Sequence, residues 1–424
     1  MRGMCGYAQR SWRLLCGVSL LAVGSTTVRT AAEVLTVDDA VRLAVQQNPT
    51  LQAQQSIIGA AEAELQQART FPYNPRLEVE GIIGRERQET RQTTRTLTVK
   101  ISQELPLGGE WRQRTQVASA GLARTRWEAQ NAQRELVKEV KETFYRLVFL
   151  DEKRVFVEQT ADLTQQLVRL AAERYRVGES PQLDVNLARV EVQQVQRQRL
   201  DVLSQLTQAR ATLNRLLARP PDAPVTVRGT LDAPLPPGDE TPLRAQALQQ
   251  RPDLRSRQAT VEATQAEVGL AQAERVPNIE VGFVLEREET GPGVKQTLGG
   301  SLALPLPLWN RNSGAIAAAQ ARSRVAALER TALVQAITTD VATTTAELQR
   351  LQASLQLLHD TILPHSRANL GFLQQAFTAA QIGIVPLLTE QRVLITVSHE
   401  YLETRLAYRM ALVALETLLG GVTP

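Results

Sequence analysis

The sequence predicts a mainly α-helical chain that also carries a membrane β-barrel segment, written as a tandem repeat of helix, β-hairpin, long helix and helix. Three observations carry this. First, two stretches of about thirty residues alternate strictly between apolar and polar side chains. Second, most of the remainder keeps the three-four apolar spacing of packed helices. Third, the whole order of elements occurs twice along the chain.

The alternating stretches lie at about 75–106 and 277–308. In the first, Leu77, Val79, Gly81 and Ile83 point one way and Glu78 and Glu80 the other. After a polar tip, Leu97, Val99 and Ile101 oppose Thr98, Lys100 and Ser102. Period two on both sides of a tip is the mark of a hairpin. The second stretch sets Ile279, Val281, Phe283 and Leu285 against Glu280 and Glu286, turns at GPGV, and continues with Leu298, Leu302 and Leu304. Each arm is about ten residues long, enough for a tilted strand to cross a bilayer. The rest of the chain reads as helix, so these four strands have no other sheet to join.

The helices follow from apolar stripes and caps. Thr36 and Asp39 form a reciprocal cap on a helix that is perturbed at Asn48-Pro49 and continues to about Arg69. From about Glu110 to Val177 there is no proline, and Val140, Phe144, Leu147, Leu163, Leu167 and Leu170 mark one face. Unbroken, that helix is on the order of 100 Å long. A break at Gly178-Glu179-Ser180-Pro181 precedes a helix from Gln182 to about Ala218. In the second half Leu348, Leu351, Leu355, Leu358 and Ile362 form a heptad seam, and the break recurs at Gly383-Ile384-Val385-Pro386. Both glycines are expected to take the positive φ of a tight reversal, and both prolines to restart a helix in its first turn.

The repeat divides the chain into a first unit at 33–218, a proline-rich linker at 219–240 and a second unit at 241–420. ALQQRPDL at 247–254 matches AVQQNPTL at 44–51, NIEV at 278–281 matches RLEV at 76–79, and LPLW at 306–309 matches LPLG at 105–108.

Residues 1–32 read as a signal peptide cleaved between 24 and 32. Arg2, Arg10 and Arg13 precede the apolar run LLCGVSLLAV, and small residues follow. Both cysteines, Cys5 and Cys16, lie within it, so no disulfide or thiolate chemistry is expected in the mature chain. Leu14-Leu15 before Cys16 lacks the small residue a lipid-attachment site prefers. Arg2, Arg10, Arg13 and Arg29 also account for the chain's net charge of +4; from Glu33 onward basic and acidic residues balance. A nucleic-acid partner is therefore excluded.

Four strands cannot close a barrel, and open edges in lipid cost several kcal/mol for each unpaired group. Copies of the chain must supply the rest, and three copies give twelve strands around a ring with room for a channel. Glu78, Glu80, Thr98, Lys100 and Ser102 would then face a wet lumen.

With these residues in view, the chain resembles the TolC-like outer-membrane efflux protein family over nearly all of 33–420. The resemblance rests on the NP/RP helix openings, the two hairpins closed by LPL, and the breaks RYRVGESPQLDV and AQIGIVPLLTEQ. It implies a homotrimer in outer-membrane lipid, with a twelve-stranded barrel continued by a twelve-helix periplasmic tunnel. It further implies that the channel works as the passive exit duct of a tripartite efflux system, with a periplasmic adaptor and an inner-membrane pump of the RND type as partners. Gly178, Pro181, Gly383 and Pro386 then mark the periplasmic tips where the adaptor docks. Asp184 matches an acidic position at the family's pore entrance; the counterpart in the second unit is Thr389, with Glu390 next to it. Asp184 also suits the positive end of the helix opening at Pro181. The exit PLPLWNRNSGAIAAA at 305–319 is similar to the cobalt-zinc-cadmium resistance branch. Drug-efflux and type I secretion ducts belong to the same family.

Trp111 and Trp309, just past the strands, suit an aromatic belt or packing at a junction. The three histidines, His359, His365 and His399, cluster with no carboxylate or thiol, so no metal site, cofactor or catalytic group is expected. The rival reading is a soluble periplasmic coiled-coil adaptor or scaffold. It accounts for the heptads and breaks but leaves two matched hairpins of membrane length without a use.

Overall fold

The computed structural model describes residues 33–87, 91–234 and 240–421. The signal peptide expected at 1–32 lies outside the described residues. A short strand, β1 (Glu33–Leu35), leads into α1 (Val37–Gln47) and α2 (Pro49–Arg69). The expected cap is present: the Asp39 amide donates to Thr36 Oγ1 at 3.2 Å and the Thr36 amide donates to Asp39 Oδ2 at 3.3 Å. Asn48 separates the two helices because Pro49 has no N–H to give the preceding turn. The Asn48 side chain accepts from the Thr50 amide at 2.9 Å and so starts α2.

The hairpin β2 (Arg76–Arg87) and β3 (Arg91–Leu105) follows, then the 67-residue α3 (Glu110–Arg176) and the antiparallel α4 (Gln182–Leu216). At 1.5 Å per residue α3 runs about 100 Å. After β4 (Val225–Val227) the order recurs: α5 (Glu240–Gln250), α6 (Pro252–Ala273), β5 (Ile279–Thr290), β6 (Gly293–Ala303), α7 (Ser313–Leu357), α8 (Leu363–Thr378) and α9 (Ile384–Leu418).

Four features differ from the sequence reading. The helical remainder contains a second sheet. β4, inside the proline-rich stretch, pairs in parallel with β1 in the register Val34 to Thr226. A three-residue VTV run is too short to show a period. The heptad seam is interrupted by a π-turn at Leu358–Ile362. Pro364 cannot donate to the carbonyl four residues back, and a widened turn absorbs the loss. β6 stops at Ala303 because Pro305 and Pro307 cannot donate to a ladder. Finally, the two breaks are not the same turn. Gly178 has φ +80°, as expected, but Gly383 is extended at φ −74° and caps α9. The left-handed residue of the second turn is Ala380, at φ +59°. Measured from that residue, the repeat offset at the tips is shorter than the glycines suggest. Pro181 caps α4 from outside, and Pro386 is the third residue of α9.

The largest core joins α1, the middle of α3 and the upper part of α4 around Phe144, Leu147, Leu206 and Leu213. A second cluster, with Leu167, Ala171, Val185, Leu370, Phe377 and Leu387, ties both hairpin tips together.

Candidate functional site: the channel wall and its tips

The wall begins with a four-stranded antiparallel sheet in the order β2-β3-β5-β6. Its register puts Val79 opposite Val99, Val99 opposite Leu285, and Leu285 opposite Leu298. One face is therefore an apolar band on which Leu77, Ile83, Phe283, Leu298 and Leu302 are all exposed in a single chain. A soluble protein would bury such a surface. The other face carries Glu78, Lys100 and Glu80, with the Lys100 ammonium 3.6 Å from Glu280 and 4.0 Å from Glu78. Both outer strands, β2 and β6, present a free edge within the chain.

At the foot of the sheet the aromatic rings gather. Phe71 meets Trp111 and Tyr73 edge to face, at 6.2 Å and 6.3 Å between centroids. Asn278, at the start of the second hairpin, donates to Tyr73 Oη at 2.8 Å and to Glu104 at 2.9 Å, so the two repeats are pinned where strands become helices. The matched exits LPLG and LPLW differ for a physical reason. A side chain on Gly108 would stand 2.2 Å from the Ala273 carbonyl, whereas Trp309 lies on the open surface.

At the far end, the expected site residues separate into two groups. Asp184 sits in the first turn of α4 and is only 8% exposed in the single chain, turned into the helical packing. Glu390 is half-buried on α9 and accepts from Ser366 at 3.3 Å, while Thr389 is exposed and donates back to the Val385 carbonyl. Thr389 has no carboxylate, so of these three residues only Asp184 and Glu390 could supply acidic groups to an entrance.

Other polar residues do bind the tips, and sequence reasoning missed them. Arg174 donates to the Phe377 carbonyl at 2.9 Å, lies 4.5 Å over the Phe377 ring and pairs with Glu179 at 3.6 Å. Arg392 gives two hydrogen bonds, 2.9 Å and 2.7 Å, to the buried Glu191 of α4. Gln391 donates to Thr164 at 3.0 Å. Arg174 had a legible signal: it continues the stripe Leu167, Leu170, Ala171 at helical spacing, where a cation is out of place unless paired. Among the described residues no group of three or more His, Cys, Asp or Glu could hold a metal ion. No helix there is long and apolar enough to cross a membrane.

A sheet with one lipid-compatible face and two open edges, standing on helical hairpins about 100 Å tall, defines a component of a membrane channel with a helical extension. Its solved likenesses have the same fold. CusC, studied for transmembrane channel formation, aligns with a TM-score of 0.78 at 18% identity, covering 91% of this chain and 92% of that one. VceC, an outer membrane protein of Vibrio cholerae, aligns with a TM-score of 0.76 at 18% identity, covering 91% and 96%. The chain belongs to the outer membrane efflux protein family, whose profile matches residues 40–219 and 243–421, one copy in each repeat. It is an outer-membrane efflux channel. In sequence it is 26% identical, over 396 residues, to the cobalt-zinc-cadmium resistance protein CzcC of Cupriavidus metallidurans, spanning 92% of this chain and 91% of that protein.

Proposed function

We propose that three copies of the chain close a twelve-stranded barrel in the outer membrane. Their helices form a periplasmic tunnel that conducts substrate expelled by an inner-membrane pump through a periplasmic adaptor. The observation that carries this reading is the pair of free strand edges, β2 and β6, on a sheet whose apolar face is uncovered. In hydrocarbon those backbone groups must be paired, and a neighbouring copy offers the complementary edge.

Heavy-metal cations are the proposed cargo. The support is the relation to CzcC together with the hairpin exit at 305–319. The tip segments around Gly178, Pro181, Gly383 and Pro386 are the proposed adaptor contacts, and Asp184, Thr389 and Glu390 the proposed entrance. The duct is passive, so its walls orient and attract but carry out no reaction. Deleting the gene and scoring growth on cobalt, zinc and cadmium beside dyes, antibiotics and secreted protein tests the cargo. Sensitivity confined to the metals is expected. Sensitivity to drugs alone, or loss of a secreted protein alone, overturns the metal assignment.

A further inference from the structure

On the apolar face of the sheet the side chains change character toward the hairpin tips. Rising away from the helices, β3 presents Ile101, Val99 and Leu97 on that face and then Arg95. β5 presents Phe283 and Leu285 and then Arg287, and β2 presents Leu77, Val79, Gly81 and Ile83 and then Arg85. The register sets Ile83 opposite Arg95 and Leu97 opposite Arg287. Arg85, Arg95 and Arg287 therefore lie on one diagonal across three strands, each within a long side chain's reach of the next. Arg85 and Arg95 are exposed and, among the described residues, in no ion pair. Glu289, opposite Arg95, accepts from Arg287 at 3.1 Å and 2.8 Å, so the patch keeps an excess of positive charge.

Below the arginines the face is hollowed. A Cβ added to Gly81 would meet nothing within 4 Å. A cleft of about 530 Å³ results, lined by Gly81, Ile83, Leu97, Arg95, Arg287 and Glu289. One end is apolar and the other cationic, which suits an acyl chain that ends in a phosphate. The height agrees. Ten residues separate Leu105 from Arg95 on β3, a rise of roughly 25 Å for a strand tilted about 40°. That is the height of the apolar band on a membrane barrel, and at its edge an outward arginine costs little. At the same level the opposite, channel-facing side carries Glu286 and Glu288, so the arginines stand apart from the cargo path.

Resting on the barrel reading above, we propose that this cleft holds an outer-leaflet lipid whose head group carries a phosphate monoester. An acyl chain lies along Gly81 and Leu97, and the phosphate sits between Arg95 and Arg287 with Arg85 beside it. A guanidinium meets phosphate oxygens with two parallel hydrogen bonds, which a lysine cannot reproduce. Glu289 opposes the anion, and the phosphate competes with it for Arg287. The site thus fastens one lipid against the outer rim of the barrel, on the face turned from the channel.

The test uses the full protein extracted from outer membranes in mild detergent and stripped of lipid. Phosphatidic acid, phosphatidylcholine with the same acyl chains, and inorganic phosphate are added in turn, and bound lipid is counted by native mass spectrometry. Wild type is expected to prefer phosphatidic acid. Arg85→Gln with Arg95→Gln should weaken that binding about thirtyfold. Glu289→Gln should tighten it, an effect that misfolding cannot imitate. Equal binding of the two lipids, or no response to either variant, overturns the proposal. Displacement of the lipid by equimolar inorganic phosphate overturns the lipid assignment, because the site then reads the anion alone. Each spectrum also reports the mass of the assembly. Failure to bind in an intact trimer strikes this site only, whereas a monomer strikes the barrel reading itself.

Discussion

Arg174 and Phe377 meet across 203 positions of sequence: the guanidinium donates to the Phe377 carbonyl at 2.9 Å and lies 4.5 Å over the ring of the same residue. The bond does two things. It satisfies a carbonyl at the C-terminal end of α8, and it holds the end of one repeat's long helix to the end of the other's. Arg174→Lys keeps the charge but loses the planar stack and the fixed fork. Amide exchange in 177–181 and 379–383 should quicken by a factor corresponding to about 1–3 kcal/mol. Unchanged exchange would show that the tips are held without this contact, by the apolar cluster and the Arg392–Glu191 and Gln391–Thr164 bonds.

The two reversals should respond differently to the same substitution. Gly178→Ala puts a Cβ at φ +80° and should cost about 1 kcal/mol, whereas Gly383→Ala, at φ −74°, should leave the melting temperature nearly unchanged. Ala380→Gly should stabilise the second tip by several tenths of a kcal/mol or more by relieving its left-handed backbone. Thermal melts of the three variants decide it.

The start of α6 carries an acid-sensitive contact. Burial pushes the Asp253 carboxyl up, but hydrogen bonds from Arg251, the nearby Arg134 charge and the Leu254 amide outweigh it and hold the group below its ordinary value. Arg251 donates at 3.0 Å and 2.6 Å, and the buried Arg134 stands 3.4 Å away. A carboxyl depressed in the folded state stabilises fully above its unfolded pKa near 3.9, and that contribution is lost as pH falls through the folded value. Asp253→Asn should destabilise by roughly 3–5 kcal/mol at neutral pH, because it leaves the buried Arg251 without its carboxylate partner, while Arg134 keeps Glu135 at 2.7 Å. The difference from wild type should shrink on acidification below pH 4. A difference independent of pH would contradict the assignment.

On the sheet, the two faces should tolerate charge unequally. Leu298→Arg sits on the apolar band and should cost about 2–4 kcal/mol of membrane insertion. Thr98→Arg, on the face with Glu78 and Lys100, should insert normally. Heat-modifiability on gels and the yield in outer-membrane fractions separate the two.

Neutralising the proposed entrance with Asp184→Asn and Glu390→Gln together should lower cation over anion selectivity in single-channel recordings. Unchanged selectivity removes both residues from the entrance.

The hairpins were legible because period two survives wherever one face of a strand meets lipid and the other meets water. Val79, Val99, Leu285 and Leu298 needed no tertiary information to be placed on one face. The long helices were legible for a similar reason, since α3 contains no proline between Glu110 and Arg176. The tips were only half legible. A glycine after a helix suggests positive φ, but Ala380 takes that conformation within a turn braced by Arg174, and a tertiary bond of that kind leaves little mark on local composition. The β1–β4 pair escaped because its partners are three residues long and lie almost two hundred positions apart. Glu191 and Arg392 escaped because each looks like an ordinary charged residue on a helix until the two hairpins are packed together.

The central claim is that one chain supplies four strands of a barrel that only three chains complete. Native mass spectrometry of the mature protein extracted from outer membranes tests it most directly. The account predicts an assembly three times the mass of the single chain, stable in detergent. A single chain that stays soluble in water without detergent would contradict it.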